Sequence, residues 1–334
     1  MFPAVRLAAS TRAPECFLNG PSDILCIHDL TSPSAWVIDG NSGALLYSGP
    51  TDLRLGFSTL AVKQVGNYAI ATTADQGVYG IGSRSETTWF VPGDGDVSVR
   101  PAGAAGAGAQ ILSAQHAGKS TSRTATIFSV VDGKPVRPEV DGSAAVLDAT
   151  FYTGGFAAAV AGRDGVQTGV RFFNDVGKRV GEHPGLGDLD TDDPVDLPVV
   201  STDSGSVVYS AEGDELITVP SGSVELVGTT LMVNTAKSRS FPEWQQYDLR
   251  TGAAGQKCDF PMQNYLGTDG KALVFEVSNR SAGVLAKGFE LLTCRQLWSL
   301  PKKPDSLDRV LRIGDALVQV IDDGTQLTSL SSPG

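Results

Sequence analysis

The stretch AWVIDGNSGALLY (35–47) decides the fold. It reads as a strand, a tight turn and a second strand, with Asp39, Gly43 and Tyr47 spaced four residues apart. The same spacing recurs in YDLRTGAAGQ, where Asp248 precedes Gly252, and in FELLTCRQLW, where Glu290, Cys294 and Trp298 stand in register. GIGSRSETTW aligns Ile81, Ser85 and Trp89, and weaker copies occur in SVVDGKPV and FFNDVGKRV. Position 39 lies 42 residues before 81, and position 248 lies 42 before 290. Self-similarity at about 40–45 residues is the signature of a propeller blade, a four-stranded antiparallel sheet repeated around an axis.

A second pattern points the same way. LAVKQVGNYAIATT (60–73), VELVGTTLMVNT (224–235), YLGTDGKALVFEV (265–277) and VLRIGDALVQVI (310–321) each place a glycine-containing turn between two β-rich runs. They read as the inner strands A and B of successive blades, apolar throughout because neighbouring blades cover both faces. The Asp-x-x-x-Gly turn then joins strand C to the outer strand D, with glycine supplying positive φ. Looser A–B hairpins are expected at 17–28, about 107–115, 146–161 and 197–210. The expectation is an all-β propeller of eight four-stranded antiparallel blades, a single domain over 1–334. A seven-blade ring with an insertion is the alternative, because the hairpins at 197 and 224 start only 27 residues apart. FPAVRLA at the N-terminus is expected to supply the missing outer strand of the last blade and so close the ring. The tract PAGAAGAGAQ (101–110) is read as a loop, since three of its ten residues are glycine.

These turns resemble the repeats of PQQ-type, or quinoprotein-like, β-propellers, with their Ala-x-Asp-x-x-x-Gly-x-x-x-Trp core, and residues 35–47, 244–256 and 289–298 carry the likeness best. The resemblance implies the propeller and not the cofactor. Members that bind no quinone include the outer-membrane assembly scaffold BamB. The vicinal cysteine pair of the quinone dehydrogenases is absent from this sequence, and no cofactor is expected. In its Ala/Gly/Val-rich, lysine-poor character the chain also resembles the actinobacterial polar growth factor family (PgfA). That likeness implies a periplasmic propeller working with a mycolate-glycolipid exporter, and no residue is carried over from it.

Composition limits the function. A net charge of −11 argues against a general nucleic-acid binder, which needs basic surface to displace phosphate counterions. No run approaches 18 apolar residues, so no transmembrane helix is expected. Four cysteines are present. Cys16 and Cys26 flank a Gly-Pro turn, which leaves Cys258 and Cys294 for a second pair; four buried free thiols are the alternative. Disulfides would place the protein outside the cytoplasm. No signal peptide is visible at Met1, so a leader or anchor outside these 334 residues is expected.

Candidate sites are few. GLGDLDTDDPVD (185–196) gathers Asp188, Asp190, Asp192, Asp193 and Asp196. It lacks the EF-hand glycine, and Val199 stands where a bidentate carboxylate would be needed, so it reads as a solvated acidic loop and not a metal site. His28, His116 and His183 are scattered over separate blades, and no G-x-S-x-G elbow occurs. Trp36, Trp89 and Trp298 read as packing residues. In a propeller the B–C and D–A loops share one face. That assignment gathers the segments 48–58, 92–108, 116–123, 183–196, 235–243, 278–286 and 300–307. The candidate binding residues on this face are Lys119, Arg123, Arg163, Lys237, Arg239, Phe241, Trp244 and Arg280. The expected function is a non-catalytic, extracytoplasmic scaffold of the bacterial cell envelope. Its expected partners are a membrane or envelope protein, such as a lipid exporter, and a glycolipid. The alternative is a glycan-acting hydrolase or lyase with paired carboxylates in the central cleft.

Overall fold

A computed structural model describes residues 5–6, 14–56, 59–98, 112–116, 124–142, 144–183, 185–189, 197–235, 243–268, 272–277, 283–302, 308–313, 316–321 and 326–330. These form eight antiparallel sheets arranged as an eight-bladed propeller, with no α-helix among the described residues. In chain order the blades are 1 (15–50), 2 (61–92), 3 (97–136), 4 (145–182), 5 (188–219), 6 (224–258), 7 (265–301) and 8 (309–330 with 5–6). Within each, strands run A to D from the axis outward. Blade 8 takes its outer strand from the other end of the chain, where Val5 lies opposite Leu327 and Arg6 opposite Gln326.

The buried residues fall into eight separate clusters, and each fills the seam between two consecutive blades. Blade 1 shows why. In strands Asp23–His28 and Ser34–Asp39 the four central residues of each are all buried. Ile24, Cys26, Trp36 and Ile38 face blade 8, while Leu25, Ile27, Ala35 and Val37 face blade 2. Alternate side chains of a strand point to opposite faces. A strand covered on both sides therefore needs an unbroken apolar run instead of an in-out alternation. Each such side chain contributes roughly 1.5–3 kcal/mol by burial.

The turn in the opening stretch is built by its own residues. Asp39 Oδ1 accepts hydrogen bonds from the amides of Asn41 (3.0 Å) and Ser42 (2.6 Å) and from the Ser42 hydroxyl (2.8 Å). These bonds, those from Ser42 foremost, hold the carboxyl below its usual range. Gly43, at φ 73°, closes the turn onto the Asp39 carbonyl. Asp248 and Thr251 repeat the arrangement before Gly252 at φ 69°. In blade 2 the turn starts at Gly82 instead of Ile81 and is one residue shorter, with Ser85 at φ 59°.

Two expected hairpins are corrected. The run 197–210 supplies strands B and C of blade 5 (Val199–Thr202 and Gly205–Tyr209); strand A is the two-residue Asp188–Leu189. In blade 3, Leu112–His116 is strand B, and the inner position is taken by Val97, bridged to Gln115. The segments 92–108 and 183–196 are therefore not simple D–A connections, because each contains the inner strand position of its blade, Val97 or Asp188–Leu189. The tract 101–110 lies outside the described residues.

The outer turns bind each blade to the one before it. Trp89 in strand D of blade 2 lies against Gly133 in the C–D turn of blade 3 and donates its indole N–H to the Val131 carbonyl at 3.2 Å. A Cβ on Gly133 would stand 2.8 Å from the Trp89 ring, and φ there is +70°. Gly165, at φ +76°, has nothing within 4 Å of its Cβ position. Replacing Gly165 by alanine should therefore cost only the left-handed strain, about 1–2 kcal/mol. Gly133→Ala adds overpacking of the seam, for about 2–4 kcal/mol in all. Urea unfolding of the two variants measures the difference.

The seam between blades 4 and 5 contains a titrating contact. His183 Nδ1 and the Tyr209 hydroxyl share a hydrogen bond of 2.5 Å. Burial holds the imidazole below its ordinary value of 6.5, with Glu215 pulling the other way. Protonating the ring inside the seam therefore costs more than protonating it in the unfolded chain. This contribution is complete above the unfolded value of about 6.5 and is lost as pH falls through the lower folded value. The urea midpoint should fall between pH 7 and pH 5, and His183→Gln should flatten that slope.

Candidate interaction face

Most of the expected binding residues belong to connections whose placement the structure does not describe. Lys119, Arg123, Lys237, Arg239, Phe241 and Arg280 lie outside the described residues. Arg163 is exposed on the tight B–C turn of blade 4, where Gly162 N–H donates to the Val166 carbonyl at 2.9 Å. Trp244 is corrected. It begins strand C of blade 6 with 5% of its surface exposed, and it packs with Met232, Phe260 and Phe275 in the seam between blades 6 and 7. The extended strand pairs it with Asn234 and Cys258, which turns its ring into the seam and away from the loop. A hydrophobic run is the signal for such a position, and the polar neighbours Glu243, Gln245 and Gln246 obscure it.

The neck of the B–C connection in blade 6 is well defined. Thr235 N–H donates to the Glu243 carbonyl at 2.8 Å, and its hydroxyl reaches the Glu243 carboxylate at 3.1 Å. Lys257 pairs with the same carboxylate at 2.7 Å. The Lys257 bond, then the one from Thr235, holds the Glu243 carboxyl below its usual range. Residues 236–242, which include Lys237, Arg239 and Phe241, thus leave from a fixed base.

The same face carries polar contacts near the inner strands. Asp29 lies 3.9 Å from Arg54 and accepts from the Leu55 amide at 2.9 Å. His116 Nδ1 stands 3.3 Å from Asp94 Oδ2, and Lys63 stands 3.4 Å from Asp96. No serine or cysteine joins the His116–Asp94 pair among the described residues. His183 is engaged by Tyr209. Of the acidic run, Asp188 opens strand A of blade 5, and Asp190, Asp192, Asp193 and Asp196 lie outside the described residues. The described residues contain no group of three or more His, Cys, Asp or Glu able to hold a metal ion.

Both disulfides are formed: Cys16 with Cys26, and Cys258 with Cys294. They fit an oxidising compartment outside the cytoplasm. No helix among the described residues is long and apolar enough to cross a membrane. Opposite the long connections, the C–D turns are four- or five-residue hydrogen-bonded units. Exposed aliphatic side chains at or beside them include Leu45, Val131, Val176 and Leu292.

The computationally designed protein Ika8 matches the fold with a TM-score of 0.53 at 14% identity, covering 97% of this chain and 98% of that one. BamB from Moraxella catarrhalis gives a TM-score of 0.42 at 12% identity over 84% of this chain and 90% of its own. An uncharacterized protein of Mycolicibacterium smegmatis (strain MKD8) is 35% identical over 333 residues, spanning 96% of this chain and 69% of that protein. Residues 1–333 match a family described as the conjugation-associated 9-bladed β-propeller domain. That description counts nine blades, where the described residues here form eight sheets. By the reach of that match, this chain belongs to the conjugation-associated β-propeller domain family.

Proposed function

We propose that this protein is a non-catalytic binding scaffold on the extracytoplasmic side of the cell envelope, engaging a membrane or envelope protein through the face that carries its B–C and D–A connections. The observation that supports it is the asymmetry between the two faces. Every described C–D turn is a short hydrogen-bonded unit, whereas the strands on either side of residues 51–60, 117–124, 235–243, 277–283 and 302–308 are separated by longer stretches of sequence at their opposite ends. Long loops on a rigid scaffold are the usual place for recognition. Lys119, Arg123, Lys237, Arg239 and Arg280 belong to these connections. On a chain of net charge −11 they form a local basic excess suited to an acidic protein surface or a phosphate. The two disulfides support the compartment, and tethering by a segment outside these residues completes the reading.

The family description draws the partner toward the envelope machinery of conjugation. The narrower likeness to the polar growth factors makes it a lipid exporter, with a mycolate glycolipid on the same face. Cross-linking in intact envelopes, followed by identification of the attached proteins, tests the scaffold. The triple variant Lys237→Glu, Arg239→Glu, Arg280→Glu should lose at least about tenfold of the cross-linked membrane partner. Arg84→Glu with Lys134→Glu, on the opposite face, should lose none. Equal capture by both variants overturns the proposal. Glycolipid retained by the native protein on mild extraction and lost from the triple variant favours the lipid exporter. Release of reducing ends from envelope glycan by the pure protein favours a hydrolase.

A further inference from the structure

We propose that the Cys258–Cys294 disulfide is a redox-controlled clamp on the seam between blades 6 and 7, whose reduction releases the outer turn of blade 7 while Cys16–Cys26 stays closed. The two disulfides occupy different places in the topology. Cys16 and Cys26 are register partners on adjacent strands A and B of blade 1, already joined by the sheet ladder, and they pack into the cluster shared with blade 8. Cys258 ends strand D of blade 6 and Cys294 lies in the C–D turn of blade 7, so this bond joins two sheets.

The position of Cys294 is the telling one. The residues closing the C–D turns of blades 1 to 7 are Gly43, Ser85, Gly133, Gly177, Gly213, Gly252 and Cys294, all with positive φ. Glycine takes that conformation freely, and at Gly252 the nearest atom to an added Cβ would be Ile217 Cδ1 of the preceding blade, at 3.9 Å. Cys294 holds φ 58° against the clash of its own Cβ. Ser85 holds the same conformation without a disulfide, so what the bond to Cys258 adds at Cys294 is a covalent tie between the turn and strand D of blade 6.

The surroundings favour reduction at this bond. Each disulfide joins a half-buried cysteine, Cys294 or Cys16, to a buried one, Cys258 at 3% or Cys26 at 0% exposure, so the difference between them lies in the link between sheets and in the surroundings of Cys258. The Gln246 amide donates to the Leu291 carbonyl at 2.6 Å and lies 3.1 Å from Cys258 Sγ, where it can also donate to a thiolate. An external dithiol of the C-x-x-C oxidoreductase class therefore attacks Cys294 Sγ, forms a mixed disulfide there and expels the Cys258 thiolate beside Gln246. The second external thiolate then attacks the external sulfur and releases the Cys294 thiolate. The dithiol leaves oxidised to a disulfide, two electrons have entered the protein, and the two protein thiolates take up protons from water.

The test is a dithiothreitol series on the folded protein, with free thiols trapped by iodoacetamide and mapped by mass spectrometry alongside hydrogen exchange. Cys258 and Cys294 should become alkylated at roughly tenfold lower dithiothreitol than Cys16 and Cys26. At that point the amides of 290–295 should exchange faster, with those of the 39–43 turn unchanged. Cys258→Ser should reproduce the fast exchange without reductant. The double variant Cys258→Ala, Cys294→Gly should restore slow exchange, because glycine docks without a covalent bond. Simultaneous reduction of both disulfides, or exchange at 290–295 indifferent to reduction, overturns the proposal. So does a double variant as fast as Cys258→Ser.

Discussion

Everything in this structure depends on apolar surface that no single blade can hide. The eight buried clusters each draw residues from two consecutive sheets, and none lies within one sheet. Strand Gly155–Ala161 shows the consequence: all seven residues are buried, with Phe156, Ala158 and Val160 packed toward blade 3 and Ala157 toward blade 5. A sheet with two greasy faces is soluble only between two others. The ring is therefore the smallest arrangement that leaves no such face uncovered, and a defect in one seam is felt by both blades that share it.

The same dependence explains how the outer turns are used. A C–D turn must approach strand D of the previous blade closely, and a side chain on the approaching residue would hold it away. Gly177 shows the limit, since a Cβ there would stand 2.5 Å from the Arg137 carbonyl oxygen, and Glu139 N–H donates to the Gly177 carbonyl at 2.8 Å. Gly213 meets Gly181 backbone to backbone, with a Cβ position 3.0 Å from the opposing Cα. These contacts fix the face of the ring that carries the C–D turns.

The sequence was legible where a blade has full-length inner strands and opaque where it does not. In blades 1, 2, 6 and 7 the glycine turn between two apolar runs and the 42-residue spacing of the outer turns are direct imprints of the fold. Blade 5 broke the pattern because its strand A is only Asp188–Leu189, set in an acidic run without the continuous apolar stretch of a full inner strand. The conspicuous hairpin at 197–210 was then read one strand too far inward. Blade 3 failed for a related reason, its inner position being a single bridge at Val97. Trp244 was read with the loop before it and not with the seam it enters, since strand pairing, which decides where its ring points, leaves no mark in the local sequence. The proposed binding face has no such imprint, because surface recognition needs no fixed motif.

Where the chain ends meet follows from the same physics. The pairing of Val5 and Arg6 with Leu327 and Gln326 places the chain discontinuity inside a sheet, between strands C and D of blade 8. The polypeptide itself crosses from blade 8 into blade 1, so that seam has a covalent connection like the others, and Trp36 and Ile38 pack on Val318, Val320 and Leu327 across it. A break between blades would leave two broad apolar faces held by side-chain packing alone. A break between strands is closed instead by directional backbone hydrogen bonds, which fix register as well as proximity. The discontinuity thus falls where the sheet can specify its own repair, and each of the eight apolar seams keeps a covalent crossing.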